Sequence, residues 1–207
     1  DDAIAAKGID IICRGEGEEA AAELCESLEQ GKDISHIRNL WIKTPAGIVK
    51  NPLRPLVKDL DALPIPDHGL FQNRNLIESE KKRIVILASR GCPYECSYCC
   101  NHALKKLYSG AEKNEYIRYK SVGYLIREIT QCREENPYAE YLYFYDDILT
   151  LRKDWFRSLA YACKETFGLP YTCNSRFNIM DEEIVDILKE TGCYQVSFGL
   201  ESGNGRI

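Results

Sequence analysis

The interpretation of this chain depends on residues 89–99, which read Ser89-Arg90-Gly91-Cys92-Pro93-Tyr94-Glu95-Cys96-Ser97-Tyr98-Cys99. The spacing Cys-x3-Cys-x2-Cys supplies three thiolates, whereas a tetrathiolate zinc or electron-transfer site is coordinatively closed. A cluster held by three thiolates keeps one iron open, and an open position can bind and activate a substrate. The spacing therefore indicates a reactive metal site rather than one that only stabilises the fold.

A zinc knuckle is the main alternative, with Cys100 or His102 as its fourth ligand. The side chains of adjacent residues diverge, so Cys99 and Cys100 seldom reach one ion together, and no second Cys-x2-Cys pair follows at zinc-ribbon spacing. His102 is better placed, although its position three residues after Cys99 matches no common zinc pattern. A zinc site and a plain electron-transfer cluster both stay open on the spacing alone.

The cysteine spacing, with the aromatic Tyr98 directly before the last cysteine, resembles the cluster loop of radical S-adenosylmethionine (SAM) enzymes. The resemblance implies a 4Fe–4S cluster held by Cys92, Cys96 and Cys99, whose fourth iron takes the amino and carboxylate groups of SAM. It also implies one-electron cleavage of SAM to methionine and a 5′-deoxyadenosyl radical, with Tyr98 among the cofactor-binding residues. The catalytic side chains remain unknown.

Composition and charge limit the cellular compartments in which we expect the protein and the classes of partner that it can bind. The 207 residues include ten cysteines scattered through predicted helices and strands, and the sequence shows no leading signal peptide. We therefore expect a reduced, cytoplasmic protein. The formal net charge of −5 argues against a broad nucleic-acid surface, and no stretch approaches the roughly 20 apolar residues of a membrane helix.

The pattern downstream of the cysteines alternates between strand and helix. The predicted strands cover residues 84–89, 141–145, 171–175 and 194–200. The predicted helices cover residues 122–135, 155–167 and 182–190, with Ser121 capping the first and Asp181 the last. Such βαβα alternation predicts an α/β fold with a parallel sheet, either doubly wound or closed as a barrel.

The resemblance to radical SAM enzymes selects the barrel. It implies that residues 84–207 form the first four β/α units of a partial (β/α)6 barrel. A barrel wall that stops after its fourth strand leaves an unpaired edge, so we expect the chain to be a segment of a longer polypeptide.

The first fifty residues predict a separate domain end. A short strand is expected at residues 9–13, a helix at 18–30 ended by Gly31, and a hairpin at 38–49. Four prolines then mark residues 51–83 as a linker that packs across a surface: Pro52, Pro55, Pro64 and Pro66.

The run Gly15-Glu16-Gly17-Glu18-Glu19-Ala20 formally matches the G-x-G-x-x-A dinucleotide fingerprint. Its glutamates would repel a pyrophosphate, whereas acids in the first turn of a helix complement the helix dipole. With residues 60–64, this region is similar to the segment that joins a cobalamin-binding domain to a radical SAM barrel. The resemblance implies that residues 1–50 end a Rossmann-like cobalamin-binding domain, although the Asp-x-His motif that marks cobalamin ligation is not in this sequence.

Polar residues at the predicted strand ends are the remaining candidates for binding the cofactor. Alternation along residues 195–201 places Glu201 on the inward face. Residues 198–203 resemble a radical SAM motif that bonds the ribose hydroxyls of SAM, so Glu201 and Ser202 are predicted to bind SAM. The alternative is a glutamate that only begins a turn before Gly203. Arg176 ends the third strand and suits the methionine carboxylate, although an ordinary salt bridge is an equal alternative. The pair Asp146-Asp147 follows the second strand and resembles a family element that lies near the substrate or the methionyl amine, so Asp147 is predicted to bind the cofactor. A turn or a helix-capping role is the equal alternative for this pair.

These features together predict a radical SAM enzyme that carries out cobalamin-dependent methyl transfer to an unactivated carbon. Ring closure or oxidation is an alternative outcome, a cobalamin-independent enzyme such as a methylthiotransferase is an alternative class, and a non-enzymatic zinc or iron–sulfur module is a third. The expected electron donor is a flavodoxin or ferredoxin, and the substrate is an unidentified small molecule or peptide. We expect neither nucleic acid nor a membrane as a partner.

Overall fold

A computed structural model describes residues 2–68, 70, 82–108 and 113–204 of the chain. The chain divides into two compact units, the first formed by Asp1–Lys58 and Tyr94–Tyr116, the second by Asp59–Pro93 and Ile117–Ile207. The predicted linker at residues 51–83 lies partly outside the described residues, which omit 69 and 71–81.

The first unit contains an antiparallel sheet in the order β1 (Ile11–Cys13), β2 (Leu40–Thr44), β3 (Gly47–Lys50). The helix α2 (Glu18–Glu29) packs on this sheet through a small core of Ala20, Ile37, Leu40 and Ile42. The other helices of the unit are α1 (Asp2–Ala5), α3 (Cys100–Leu107) and α4 (Lys113–Tyr116). The helix predicted at residues 18–30 and the hairpin predicted at residues 38–49 are confirmed as α2 and as β2 with β3. Gly47 begins β3 with a φ of 126°, a backbone conformation that glycine adopts readily and other residues rarely adopt.

The second unit is built on a parallel sheet in the order β4 (Arg83–Ile86), β7 (Tyr141–Phe144), β8 (Tyr171–Ser175), β9 (Cys193–Phe198). The short strands β5 (Ser89–Arg90) and β6 (Arg118–Tyr119) form a separate antiparallel pair. The connecting helices are α5 (Val122–Glu135), α6 (Lys153–Phe167) and α7 (Glu182–Thr191). This alternation confirms the predicted α/β fold with a parallel sheet.

The predicted helix starts are confirmed by their caps. The Ser121 hydroxyl accepts a hydrogen bond from the backbone N–H of Tyr124, and the Asp181 carboxylate accepts one from Ile184. The last predicted strand is shorter than expected, because β9 ends at Phe198 rather than continuing to residue 200.

The hydrophobic core lies on one face of the parallel sheet, where the helices pack. Alternate strand residues supply it, including Leu142, Phe144, Tyr171, Cys173 and, partly buried, Val196. The intervening residues share the opposite face, as the paired register of Tyr143, Thr172 and Gln195 shows. The tyrosines of β7, Tyr141 and Tyr143, therefore face away from the helices. Bulky side chains stand on both faces of this strand, so alternation in the sequence does not indicate which face turns inward.

The segment before β4 is fixed to α5. The Asp61 carboxylate accepts a hydrogen bond from the backbone N–H of Ser121 at 2.8 Å, and the Tyr124 hydroxyl donates to the carbonyl of Leu63 at 3.1 Å. His68 lies 3.8 Å from the buried carboxylate of Glu128. Among the described residues, no helix combines the length and the apolar character needed to cross a membrane.

Candidate cluster and cofactor site

The cysteine loop, residues 91–99, begins where β5 ends. Pairing of Ser89 with Tyr119 and of Arg90 with Arg118 fixes the strand from which the loop leaves. Gly91 then adopts a φ of 92°, a left-handed conformation that glycine tolerates and that turns the chain toward Cys92. The start of the loop is therefore set by backbone hydrogen bonding.

The end of the cysteine loop is the start of a helix. Cys99 is the N-cap of α3, and its backbone N–H donates to the carbonyl of Cys96 at 3.1 Å. The side-chain amide of Asn101 donates to the Cys99 sulfur at 3.8 Å, and the Tyr116 hydroxyl donates to the Asn101 side-chain oxygen at 3.3 Å. Hydrogen bonds to cysteine sulfurs are a feature of iron–sulfur sites, so the Asn101 amide beside Cys99 suits a cluster ligand.

The donor set fits an iron–sulfur cluster by its chemistry. Cys92, Cys96 and Cys99 are half-buried thiols within one short loop, whereas Cys100 is exposed in the first turn of α3. Across the described part of the chain, however, no group of three or more His, Cys, Asp and Glu side chains is arranged to hold a metal ion. The fit to a cluster therefore rests on the chemistry of the three thiols and on their place in one short loop between β5 and α3.

The predicted strand-end residues follow neighbouring parallel strands, so their backbones leave the sheet at the same edge. Asp147 is exposed after β7. Arg176, half-buried after β8, donates from Nε to the Asn178 side-chain oxygen at 3.3 Å. Tyr98, in the cysteine loop, is 66% exposed.

Glu201 adopts an unusual backbone conformation, with a φ of 58°. Its carboxylate folds back over Gly199, where an added Cβ would lie only 2.5 Å from Glu201 Oε1. Ser202 follows in a tight turn: its N–H donates to the carbonyl of Leu200 at 2.6 Å, and its hydroxyl accepts from Asn204 at 3.0 Å. A glutamate in the left-handed region is uncommon and costs free energy, so the turn holds the Glu201 carboxylate in this position at some expense to stability.

Sequence reasoning missed Asp146 as the centre of this edge. Its side chain is 0% exposed and accepts hydrogen bonds from the Ala88 N–H, at 3.0 Å, and from the Ser89 hydroxyl. Its carbonyl accepts from the Asn174 amide at 2.9 Å, so Asp146 joins three successive strand ends. Burial raises the pKa of the Asp146 carboxyl to about 6, against the lowering effect of its hydrogen bonds.

The sequence signal for Asp146 was the acidic pair directly after a buried strand, but the sequence does not say which acid turns inward. The strand alternation continues to Asp146, which shares parity with Leu142 and Phe144. An acid at a core-facing position is the signal that could have identified it.

Comparison with known proteins identifies the family. The Radical SAM superfamily profile matches residues 86–207. An uncharacterized methyltransferase of Pyrococcus horikoshii, PH0819, is 32% identical over 200 residues, which are 96% of this chain and 42% of that protein. The anaerobic magnesium-protoporphyrin IX monomethyl ester cyclase of Rubrivivax gelatinosus is 24% identical over 94% of this chain and 35% of its own length.

The fold is shared with a solved radical enzyme. The cobalamin-dependent SAM radical enzyme OxsB, with aqua-cobalamin and SAM bound, superimposes with a TM-score of 0.73 at 16% identity, over 99% of this chain and 30% of that one. The chain therefore spans less than half the length of the proteins it matches. Radical SAM domains use a 4Fe–4S cluster and SAM. With a family profile that covers more than half of its residues, the chain belongs to the radical SAM superfamily.

Proposed function

We propose that this chain is part of a cobalamin-dependent radical SAM enzyme that transfers a methyl group to an unactivated carbon. The observation that carries the proposal is the cysteine loop, in which three half-buried thiols lie between β5 and α3. Support for methyl transfer comes from PH0819, a relative described as a methyltransferase. Support for cobalamin comes from the shared fold of OxsB, described as cobalamin-dependent.

In this proposal Cys92, Cys96 and Cys99 would hold the cluster, and a donor set of three thiolates would leave a position for SAM. When bound and reduced, the cluster supplies the electron that cleaves SAM to methionine and a 5′-deoxyadenosyl radical. The protein's task is to hold the reacting groups in place and to exclude water, which is positioning rather than acid–base work.

The strand-end residues carry the positioning of SAM in this proposal. Glu201 accepts hydrogen bonds from the ribose hydroxyls, with Ser202 beside it, and Arg176 pairs with the methionine carboxylate through its planar guanidinium. Asp147 binds the methionyl amine, and Tyr98 contacts SAM from the cysteine loop. Asp146 holds this edge of the sheet together.

The domain organisation belongs to the same proposal. Residues 1–50 end a Rossmann-like cobalamin-binding domain, residues 51–83 link it to the barrel, and residues 84–207 supply the first four β/α units of a partial (β/α)6 barrel. The order β4-β7-β8-β9 of the parallel sheet supports the barrel assignment, because successive strands lie side by side as in a barrel wall.

The partners follow from the proposed chemistry. A flavodoxin or ferredoxin donates the electron, and the substrate is a small molecule or peptide whose identity these residues do not fix. The protein works in the cytoplasm, where its ten cysteines stay reduced.

The decisive experiment is anaerobic electron paramagnetic resonance of the reduced intact protein, with and without SAM, beside an optical spectrum for corrinoid. We expect a reduced 4Fe–4S signal that shifts when SAM is added, together with corrinoid absorbance. A SAM-responsive cluster without corrinoid would favour a cobalamin-independent radical SAM enzyme. Stoichiometric zinc with no iron after careful reconstitution would overturn the proposal.

A further inference from the structure

Two segments of the first unit that lie far apart in sequence make a close contact. Tyr108, the C-cap of α3, accepts through its hydroxyl a 2.9 Å hydrogen bond from the backbone N–H of Glu16. Gly15 leaves the space for this contact, because a Cβ there would lie 2.0 Å from the hydroxyl oxygen. Gly15 also has a φ of 76°, so glycine is needed for its conformation as well as for its size.

The turn at Gly15–Glu16 is a rigid base for this contact. The Glu16 carboxylate accepts from the backbone N–H of Val57 at 2.8 Å, and the Glu16 carbonyl accepts from the Asn39 amide at 2.6 Å. Asn39 is 1% exposed and left-handed, with a φ of 73°, and its carbonyl accepts from the Arg14 N–H at 2.9 Å. The surrounding hydrogen bonds therefore fix the position of this turn.

The helix α3 connects this rigid base to the cluster cysteines. Cys99 caps the start of α3 and Tyr108 caps its end, about 14 Å away at the rise of an α-helix. Within the same unit, Lys105 pairs with Glu95 of the cysteine loop at 2.9 Å. A helix held at its far end restricts the positions open to the residue at its near end.

We propose that Tyr108 is a positioning residue for the cluster: by clamping the end of α3 to the Gly15–Glu16 turn, it fixes Cys99 and, through the Cys96–Cys99 hydrogen bond, Cys96. This inference rests on the proposed function, in which these cysteines are cluster ligands. It assigns a role to the glycine–glutamate run that the dinucleotide fingerprint does not explain. It also couples the end of the proposed cobalamin-binding domain to two of the cluster ligands.

The test begins with the metal-free intact protein, so that it does not depend on cluster assembly. We would measure maleimide alkylation rates at each cysteine by peptide mass spectrometry. Tyr108→Phe, which removes only the hydroxyl, should speed alkylation of Cys96 and Cys99 several-fold. The buried Cys132 of α5 reports general loosening of the protein and should react at the wild-type rate.

Two further variants frame the result. Gly15→Ala should also speed alkylation of Cys96 and Cys99, and by more than Tyr108→Phe does, because the new Cβ displaces the Tyr108 hydroxyl. Tyr138→Phe is the matched control, since Tyr138 is 83% exposed, and it should change nothing. If Gly15→Ala fails to fold, Tyr108→Phe still decides the question.

The same variants are then compared after cluster reconstitution. Tyr108→Phe should release iron to a chelator several-fold faster than the wild type, with an unchanged thermal unfolding midpoint. Wild-type alkylation rates at Cys96 and Cys99 in Tyr108→Phe, or equal acceleration at the buried Cys132, would overturn the inference. Failure of the wild type to assemble any cluster would instead count against the proposed function, and the alkylation result would still stand.

Discussion

The cysteine loop and the strand-end edge of the parallel sheet are organised in opposite ways. The loop is held at its two ends, where Arg90 pairs with Arg118 and where Cys99 caps α3, and its three cluster thiols are half-buried. The strand-end edge is bonded together by the buried Asp146, which contacts Ala88, Ser89 and Asn174. The loop therefore depends on backbone structure at its ends, whereas the edge is held by one buried side chain, so substitutions in the loop test ligands and substitutions at the edge test a supporting network.

The largest expected effect tests the loop. Cys96→Ala should abolish cluster-dependent SAM cleavage, because a cluster with two protein thiolates is not retained. Cys100→Ala should leave cleavage largely intact, since this neighbouring cysteine is exposed and belongs to α3. The measurement is 5′-deoxyadenosine formation after anaerobic reconstitution, and equal loss in both variants would refute the ligand assignment.

The second prediction tests the preorganised edge through pH. Burial raises the pKa of Asp146 to about 6 in the folded protein, from 3.8 in the unfolded chain. The protonated form is therefore favoured by folding: this contribution is fully present below pH 3.8 and is lost as pH rises through about 6. A rise in the pKa from 3.8 to about 6 corresponds to about 3 kcal/mol in the free energy of unfolding.

Asp146→Asn should remove that pH dependence, because the amide stays neutral and its oxygen still accepts from the Ala88 N–H. The free energy of unfolding, measured with denaturant from pH 4 to 8, should fall by roughly 2.5 kcal/mol more in the wild type than in the variant, because part of the contribution is already lost at pH 4. Asp186→Asn, at an exposed carboxylate of α7, is the matched control and should keep the wild-type profile. Parallel profiles for wild type and Asp146→Asn would show that this carboxylate is not strained by burial.

The third prediction concerns the position of the Glu201 carboxylate. Gly199→Ala should push its carboxylate aside, because the new Cβ would lie 2.5 Å from Oε1. SAM binding, measured by calorimetry on the reconstituted protein, should weaken on the order of ten-fold, or ~1.4 kcal/mol. Gly203→Ala is the matched control, since nothing lies within 4 Å of its Cβ, and unchanged affinity in both variants would argue against a role for Glu201 in binding SAM.

The smallest expected effect returns to the loop. Asn101→Ala removes the N–H donor to the Cys99 sulfur, and hydrogen bonds to cluster sulfurs raise the reduction potential. We expect a modest shift to a more negative potential in a spectroscopic redox titration. His102→Ala, next along the same helix, should keep the wild-type potential, and a shift in that variant alone would favour His102 as a ligand.

The part of the fold that could be predicted is the part that local patterns determine. α5 begins after Ser121 and β8 covers residues 171–175, as the sequence indicates, because capping hydroxyls and alternating side chains act over a few residues. The burial of Asp146 and the contact of Tyr108 with Glu16 depend on residues 57 and 92 positions away, which no local pattern encodes. The left-handed Glu201 runs against its own backbone preference, so propensity pointed elsewhere.

The contacts of the segment before β4 bear on how this protein can be dissected. Asp61 and Leu63 hydrogen-bond to the first turn of α5, and His68 lies beside Glu128 on the same helix. A shortened protein that began at residue 84 would remove these partners of α5, including the His68 ring beside the buried Glu128 carboxylate. Anyone expressing the parallel-sheet unit alone should therefore start the polypeptide before Asp59.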